Sequence, residues 1–173
     1  MRKLKAIPDS AVPAALEKAL RYRLLNEPLE AESICLDVLQ VDPDNQQALV
    51  TMLLALTDLF DHEYVAALER AKAVLPRLEA EYDRAYYEGV MHERWAKAET
   101  ARRVPMHVVT GWYLKAMHCY ERAEELAASD NPDAILRWNT CARLVARESG
   151  PPTGDQSLTR DLEAEFGDEA QTR

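Results

Sequence analysis

The sequence predicts an all-α chain, and three observations carry that expectation. Only five glycines occur in 173 residues, no Asn-Gly or Asp-Gly pair is present, and alternating apolar runs are few, so the turn chemistry that sheets need is missing. Apolar residues recur instead at intervals of three and four, the spacing that lines one stripe of a helix. Prolines at 28, 43, 76, 105 and 132 fall between these stripes, where they end one helix or open another. With 47% apolar residues the chain can fill the core of one domain.

The first helix is predicted from Ser10 to Leu25, with Ser10 as its cap and Leu16, Ala19, Leu20 and Leu24 on one face. Asn26-Glu27-Pro28 ends it. A second helix from Pro28 to Val41 carries Ala31, Ile34, Cys35, Val38 and Leu39 on its stripe, and Asp42-Pro43-Asp44-Asn45 stops it and caps the next. The third, Asp44 to Phe60, has Leu49, Met52, Leu53, Leu56 and Phe60 at helical spacing, and Leu54 and Leu59 widen its apolar face. Such a helix must be covered on more than one side. The fourth, Asp61 to Leu75, places Tyr64, Ala67, Leu68, Ala71 and Leu75 together before Pro76.

Two longer helices follow, Arg77 to Arg102 and Met106 to Ala128, separated by Pro105. Leu78, Tyr82, Ala85, Tyr86, Gly89 and Val90 form the seam of the first; Trp112, Ala116, Tyr120 and Ala123 form that of the second. Asp130-Asn131-Pro132-Asp133 repeats the earlier turn chemistry and opens a seventh helix, Ala134 to Glu148, with Trp138, Cys141 and Val145 on one side. After Gly150-Pro151-Pro152 the composition becomes polar and acidic. Residues 149–173 therefore read as a largely flexible tail, with a short helix over 157–166 in which Leu158, Leu162 and Phe166 are stacked. Residues 1–9 read as an N-terminal arm and 10–148 as the helical domain.

The formal charge of −9 disfavours a nucleic-acid partner, since phosphate binding draws on clustered Lys and Arg. Met1-Arg2-Lys3-Leu4-Lys5 resembles the start of a targeting signal, but Pro8, Asp9, Pro13 and Glu17 interrupt any apolar run behind it, and no stretch is long enough for membrane insertion. Three cysteines without metal spacing fit a reducing compartment, so a cytoplasmic location is expected.

Ala31, Cys35, Val38 and Pro43 are separated by four, three and five residues, and Ala116, Tyr120 and Ala123 by four and three. These spacings resemble the trailing helix of the tetratricopeptide repeat, while Ala19 with Tyr22, and Gly89, stand where the leading helix carries its small and large interior residues. The resemblance implies a right-handed superhelical stack of antiparallel helix pairs: repeats over about 10–43, 44–76 and 77–128, then a capping helix at 131–148 that covers the last open face. The third pair exceeds the repeat by roughly four turns.

In that family the leading helices line a concave groove for a peptide. The matching positions here include Leu20, Arg23 and Leu24; Val50, Leu54, Thr57 and Asp58; Tyr86, Val90, Glu93 and Arg94; and Trp138, Asn139 and Ala142. Arg23, Leu54, Tyr86, Val90, Arg94, Trp138 and Asn139 are the groove candidates, suited to a peptide with apolar side chains and an acidic group. Glu17, Val50, Thr51 and Leu54 occupy positions where clamps for a C-terminal carboxylate carry Lys and Asn, which disfavours that ligand. Arg94, Lys97, Arg102 and Arg103 also have a plainer role, offsetting the dipole near a helix C-terminus.

No Gly-rich phosphate loop or nucleophile elbow is present, so no catalytic residue and no cofactor is assigned. Glu88 with His92, and His118 with Cys119 and Cys141, offer metal-type donors, but without ligand spacing they read as ordinary interior or surface residues and no metal is expected. The expected function is a non-enzymatic adaptor for a protein or peptide ligand. Alternatives are a scaffold whose Leu158-Leu162-Phe166 segment fills its own groove, homodimerisation through the tail or edge helices, a secretion-type chaperone, and a helical-bundle metalloenzyme built on Glu88, His92, His118 and Cys119.

Overall fold

Prolines and asparagines set most helix boundaries in the computed structural model, which describes residues 3–61 and 63–148. After a 3-10 turn at Asp9–Ala11 come α1 (Val12–Leu24), α2 (Pro28–Val41), α3 (Gln46–Asp58) and α4 (Tyr64–Val74). A second 3-10 turn at Leu75–Arg77 leads to α5 (Glu81–Ala101), α6 (Met106–Leu126) and α7 (Asp133–Glu148). No strand occurs among the described residues, so the chain is all-helical there. The tail, with the helix expected over 157–166, lies outside the described residues.

Local chemistry explains where helices begin and end. Asn26 adopts φ 60°, a left-handed conformation that asparagine tolerates, and the Glu27 amide then donates to the Tyr22 carbonyl at 2.9 Å to close α1. Pro28 opens α2, where its missing N–H costs nothing. The Asn45 side chain accepts from the Ala48 amide at 2.9 Å, so α3 starts at Gln46, two residues later than the sequence suggests.

A larger departure concerns α5, which begins at Glu81 rather than Arg77. The segment between is satisfied by side chains instead of a helical ladder. Gln46 accepts from the Glu79 amide at 2.9 Å, Arg77 donates to the Pro43 carbonyl at 2.6 Å, and Arg84 donates to the Leu78 carbonyl at 2.6 Å. These bonds tie the turn before α5 to the turn before α3, and Leu78 is buried between them.

Each helix packs on its sequence neighbour from α1 to α4 and again from α5 to α7, and α3 additionally touches α1 and α5. That central position accounts for its apolar sequence, since Ala48, Leu49, Met52, Leu53, Ala55 and Leu56 are all buried. Two main cores result. Leu49, Leu53, Leu56, Phe60, Leu68 and Leu78 fill the first, which takes Met91, Trp95 and Ala98 from α5. Val109, Tyr113, Ala116, Tyr120, Ala134 and Cys141 fill the second, which takes Ala85, Val90 and Ala96 from the same helix. Trp95 anchors the first: Tyr64 stacks on it at 4.2 Å, Phe60 meets it edge-on at 5.3 Å, and the Arg102 guanidinium covers the other face of the stack, 3.6 Å from the Tyr64 ring centre. Ile7 packs on a small cluster of Leu16, Val38 and Ala48, so part of the expected N-terminal arm lies against the helices.

Candidate functional site

A chain of ion pairs runs through alternate helices. Arg23 on α1 donates through Nε to Asp58 Oδ2 on α3 at 2.6 Å. Arg94 on α5 donates to the other oxygen of Asp58, to Thr57 Oγ1 at 2.8 Å and to the Leu54 carbonyl at 3.3 Å. One position earlier on α5, Glu93 is fully buried and accepts from Lys97 at 2.5 Å, from the Tyr120 hydroxyl at 2.8 Å and from Arg137 on α7 at 3.0 Å. Burial by itself would raise the Glu93 pKa; the Lys97 hydrogen bond, the Arg137 charge and the Tyr120 hydroxyl outweigh it and hold the carboxyl below its usual value. Beside Asp58 and Arg94 a recess of about 330 Å³ opens, lined also by Asn26, Thr57, Asp61, Lys97 and Ala98.

The groove candidates divide on this geometry. Arg23, Leu54 and Arg94 converge around Asp58, with Leu54 contributing its carbonyl rather than its side chain. Tyr86 is half-buried, stacked on Tyr82 at 5.7 Å and edge-on to Tyr87 at 5.2 Å. Val90 has no exposed surface; it belongs to the second core and cannot wall a groove, because the α5 seam that carries it is covered by α6. Trp138 donates from Nε1 to Glu121 on α6 at 3.0 Å, which holds its indole at the α6–α7 contact, and Asn139 beside it is half-buried. From α7, Arg137 reaches the Glu93 carboxylate on α5 at 3.0 Å, although it is not among the groove candidates. Its signal was the acid at Glu93, 44 positions away, for which no spacing rule exists.

A second polar group lies between α5 and α6. His92 and Arg94 are two residues apart and so about 160° apart round α5, which sets this group on the far side of the helix from Asp58. Glu88, His92 and Cys119 offer donor atoms that all lie within 4.8 Å of one another. His92 Nε2 stands 3.9 Å from Glu88 Oε1, and Arg122 stands 3.8 Å from Glu88 Oε2. Desolvation holds His92 below its usual pKa, against the pull of Glu88, so its ring is neutral at pH 7. Burial first, then the Glu88 charge, push the Cys119 thiol up to about 12. A recess of about 410 Å³ lies over this group, lined by Gly111, Leu114, Lys115 and His118. His118 itself is exposed and faces Glu121 at 3.7 Å, and Cys141 is buried in the second core, so neither joins the three donors.

Compared with known proteins, the chain matches no protein-family model, no curated protein and no solved structure. No helix among the described residues is long and apolar enough to cross a membrane.

Proposed function

We propose that the chain is a non-enzymatic adaptor of stacked helix pairs, in the manner of tetratricopeptide repeats, that binds an acidic peptide segment of a partner protein across α1, α3 and α5. The observation that carries this reading is a local reversal of charge. Arg23, Arg94, Lys97 and Arg137 outnumber Asp58, Glu93 and Asp61 there, and Glu93 is buried, in a chain whose formal charge is −9. Three bonds of Arg94 come from Nη1, which leaves the other edge of its fork for a carboxylate at the recess. Asp58 holds both arginines in place before a ligand arrives, which lowers the ordering cost of binding. The link from α1 to α3 to α5 to α7 supports the stack, because alternate helices then share one face.

Fluorescence anisotropy with labelled Glu/Asp-rich peptides tests this at low and physiological salt. Binding that weakens with salt and is lost in Arg94→Glu and Lys97→Glu, with the helical circular dichroism retained, is the expected result. Peptides that fail to bind wild-type protein even at low salt would overturn it.

A second reading is favoured by residues 151–173, which hold six Asp and Glu against two Arg and so complement this face. If the chain's own tail competes for it, removing residues 149–173 raises peptide affinity or changes the oligomeric mass.

A further inference from the structure

The Glu88, His92 and Cys119 group is independent of the peptide face. Its donors differ in kind: a carboxylate oxygen, an imidazole nitrogen and a sulfur, from two helices held together by their whole length. We propose that these three side chains bind one borderline-soft divalent cation of the zinc class, with its remaining coordination position open to the recess beneath Gly111 and Lys115. Such an ion accepts N, S and O donors in a tetrahedron, and bond lengths of about 2.0–2.3 Å set donors roughly 3.3–3.8 Å apart. The His92 to Glu88 separation of 3.9 Å is already close to that range. Glu88, the most exposed of the three, can close its own distances by rotating its side chain, and the three donors begin within 4.8 Å of one another.

The surroundings fit an ion rather than a bare ion pair. His92 is held against the Trp112 ring at 5.4 Å, which fixes its plane. Arg122 engages the Glu88 oxygen that faces away from His92, leaving Oε1 for the metal. A Cβ at Gly111 would meet nothing within 4 Å, so the approach is open. On binding, the Cys119 S–H bond breaks, the sulfur keeps the electron pair as a metal–thiolate bond, and the proton passes to solvent; His92 enters neutral and releases none. The thiolate and the Glu88 carboxylate then balance the ion's two charges. Arg122, Lys115 and, from α4, Lys72 face the site as cations and oppose a bound cation, an opposition that the thiolate and the Glu88 carboxylate must outweigh; once an ion is held they favour an anion over water at the open position. The chemistry excludes hard ions such as Mg²⁺, which take oxygen donors only.

Cobalt(II) is the probe, because thiolate ligation gives it a charge-transfer band in the near ultraviolet. Chelator-treated, tag-free full-length protein titrated with Co²⁺ is expected to develop that band with tetrahedral d–d absorption, saturating at one ion per chain and bleached by Zn²⁺. Cys119→Ala is expected to remove the charge-transfer band, while His92→Gln and Glu88→Gln weaken binding by at least the roughly 10–100-fold that losing a supporting residue costs. No band in the wild type, or a band retained in Cys119→Ala, overturns the proposal. Should Cys119→Ala fail to fold, Glu88→Gln decides, since unchanged Co²⁺ affinity there overturns it equally.

Discussion

Gly89 and Tyr120 meet so closely at the α5–α6 crossing that a β-carbon on Gly89 would lie 2.6 Å from Tyr120 Cε1. The tyrosine cannot retreat, because it is fully buried and its hydroxyl donates to Glu93 at 2.8 Å. Gly89→Ala is therefore expected to destabilise the fold by about 1–3 kcal/mol, although alanine alone would favour the helix by about 1 kcal/mol. Chemical denaturation of the two proteins checks the sign, which propensity and packing predict oppositely.

Glu93 gives a prediction with a pH signature. Its carboxyl titrates lower in the folded chain than its ordinary value of 4.5, so its contribution is complete above that value and is lost as pH falls through the folded pKa. Glu93→Gln is expected to cost about 3 kcal/mol at pH 7, the lower end for breaking a buried pair, since Lys97 and Arg137 still reach solvent. Denaturation curves taken from pH 7 down to acid should show the wild-type advantage shrinking below pH 4.5.

Arg103 should yield a stabilised variant. It adopts φ 58° just past the end of α5, where the Val104 amide donates to the Glu99 carbonyl at 3.1 Å, the bonding of a glycine C-cap. Removing the side chain relieves a left-handed strain of about 1–2 kcal/mol, offset in part by the unfolded freedom of glycine. Arg103→Gly is expected to raise the melting temperature by about 2–4 °C.

Asn45 caps α3, the helix that touches α1, α2, α4 and α5. Asn45→Ala is expected to cost about 1 kcal/mol, whereas Asn45→Asp keeps the accepting oxygen but gives up the Nδ2 bond to Asp42 at 2.9 Å and sets two carboxylates side by side, so it should fall between Asn45→Ala and wild type. Thermal unfolding of both variants separates the cap from any effect of charge.

The helices were legible because their apolar spacing is local and because Pro28, Pro105 and Pro132 mark their ends. Gly89 was legible as a position without bulk. The start of α5 was not, since Gln46 and Arg77 settle it across more than thirty residues. Among the groove candidates, spacing placed Arg94 and Val90 on neighbouring parts of one helix face. It held no information on which of them α6 would cover, and only the crossing does that. Glu88 and His92 are one turn apart and visible as a pair, but Cys119 joins them only through the pairing of two helices.

The two cores share α5, and that sharing limits the length of the chain as well as its composition. A residue inserted after Met91 would swing everything beyond it by about 100°, lifting Trp95 away from Tyr64 and Ala96 away from its partners in a single event. No later substitution restores both registers at once. Along this helix the count of residues is itself part of the message, and indels belong in the connections.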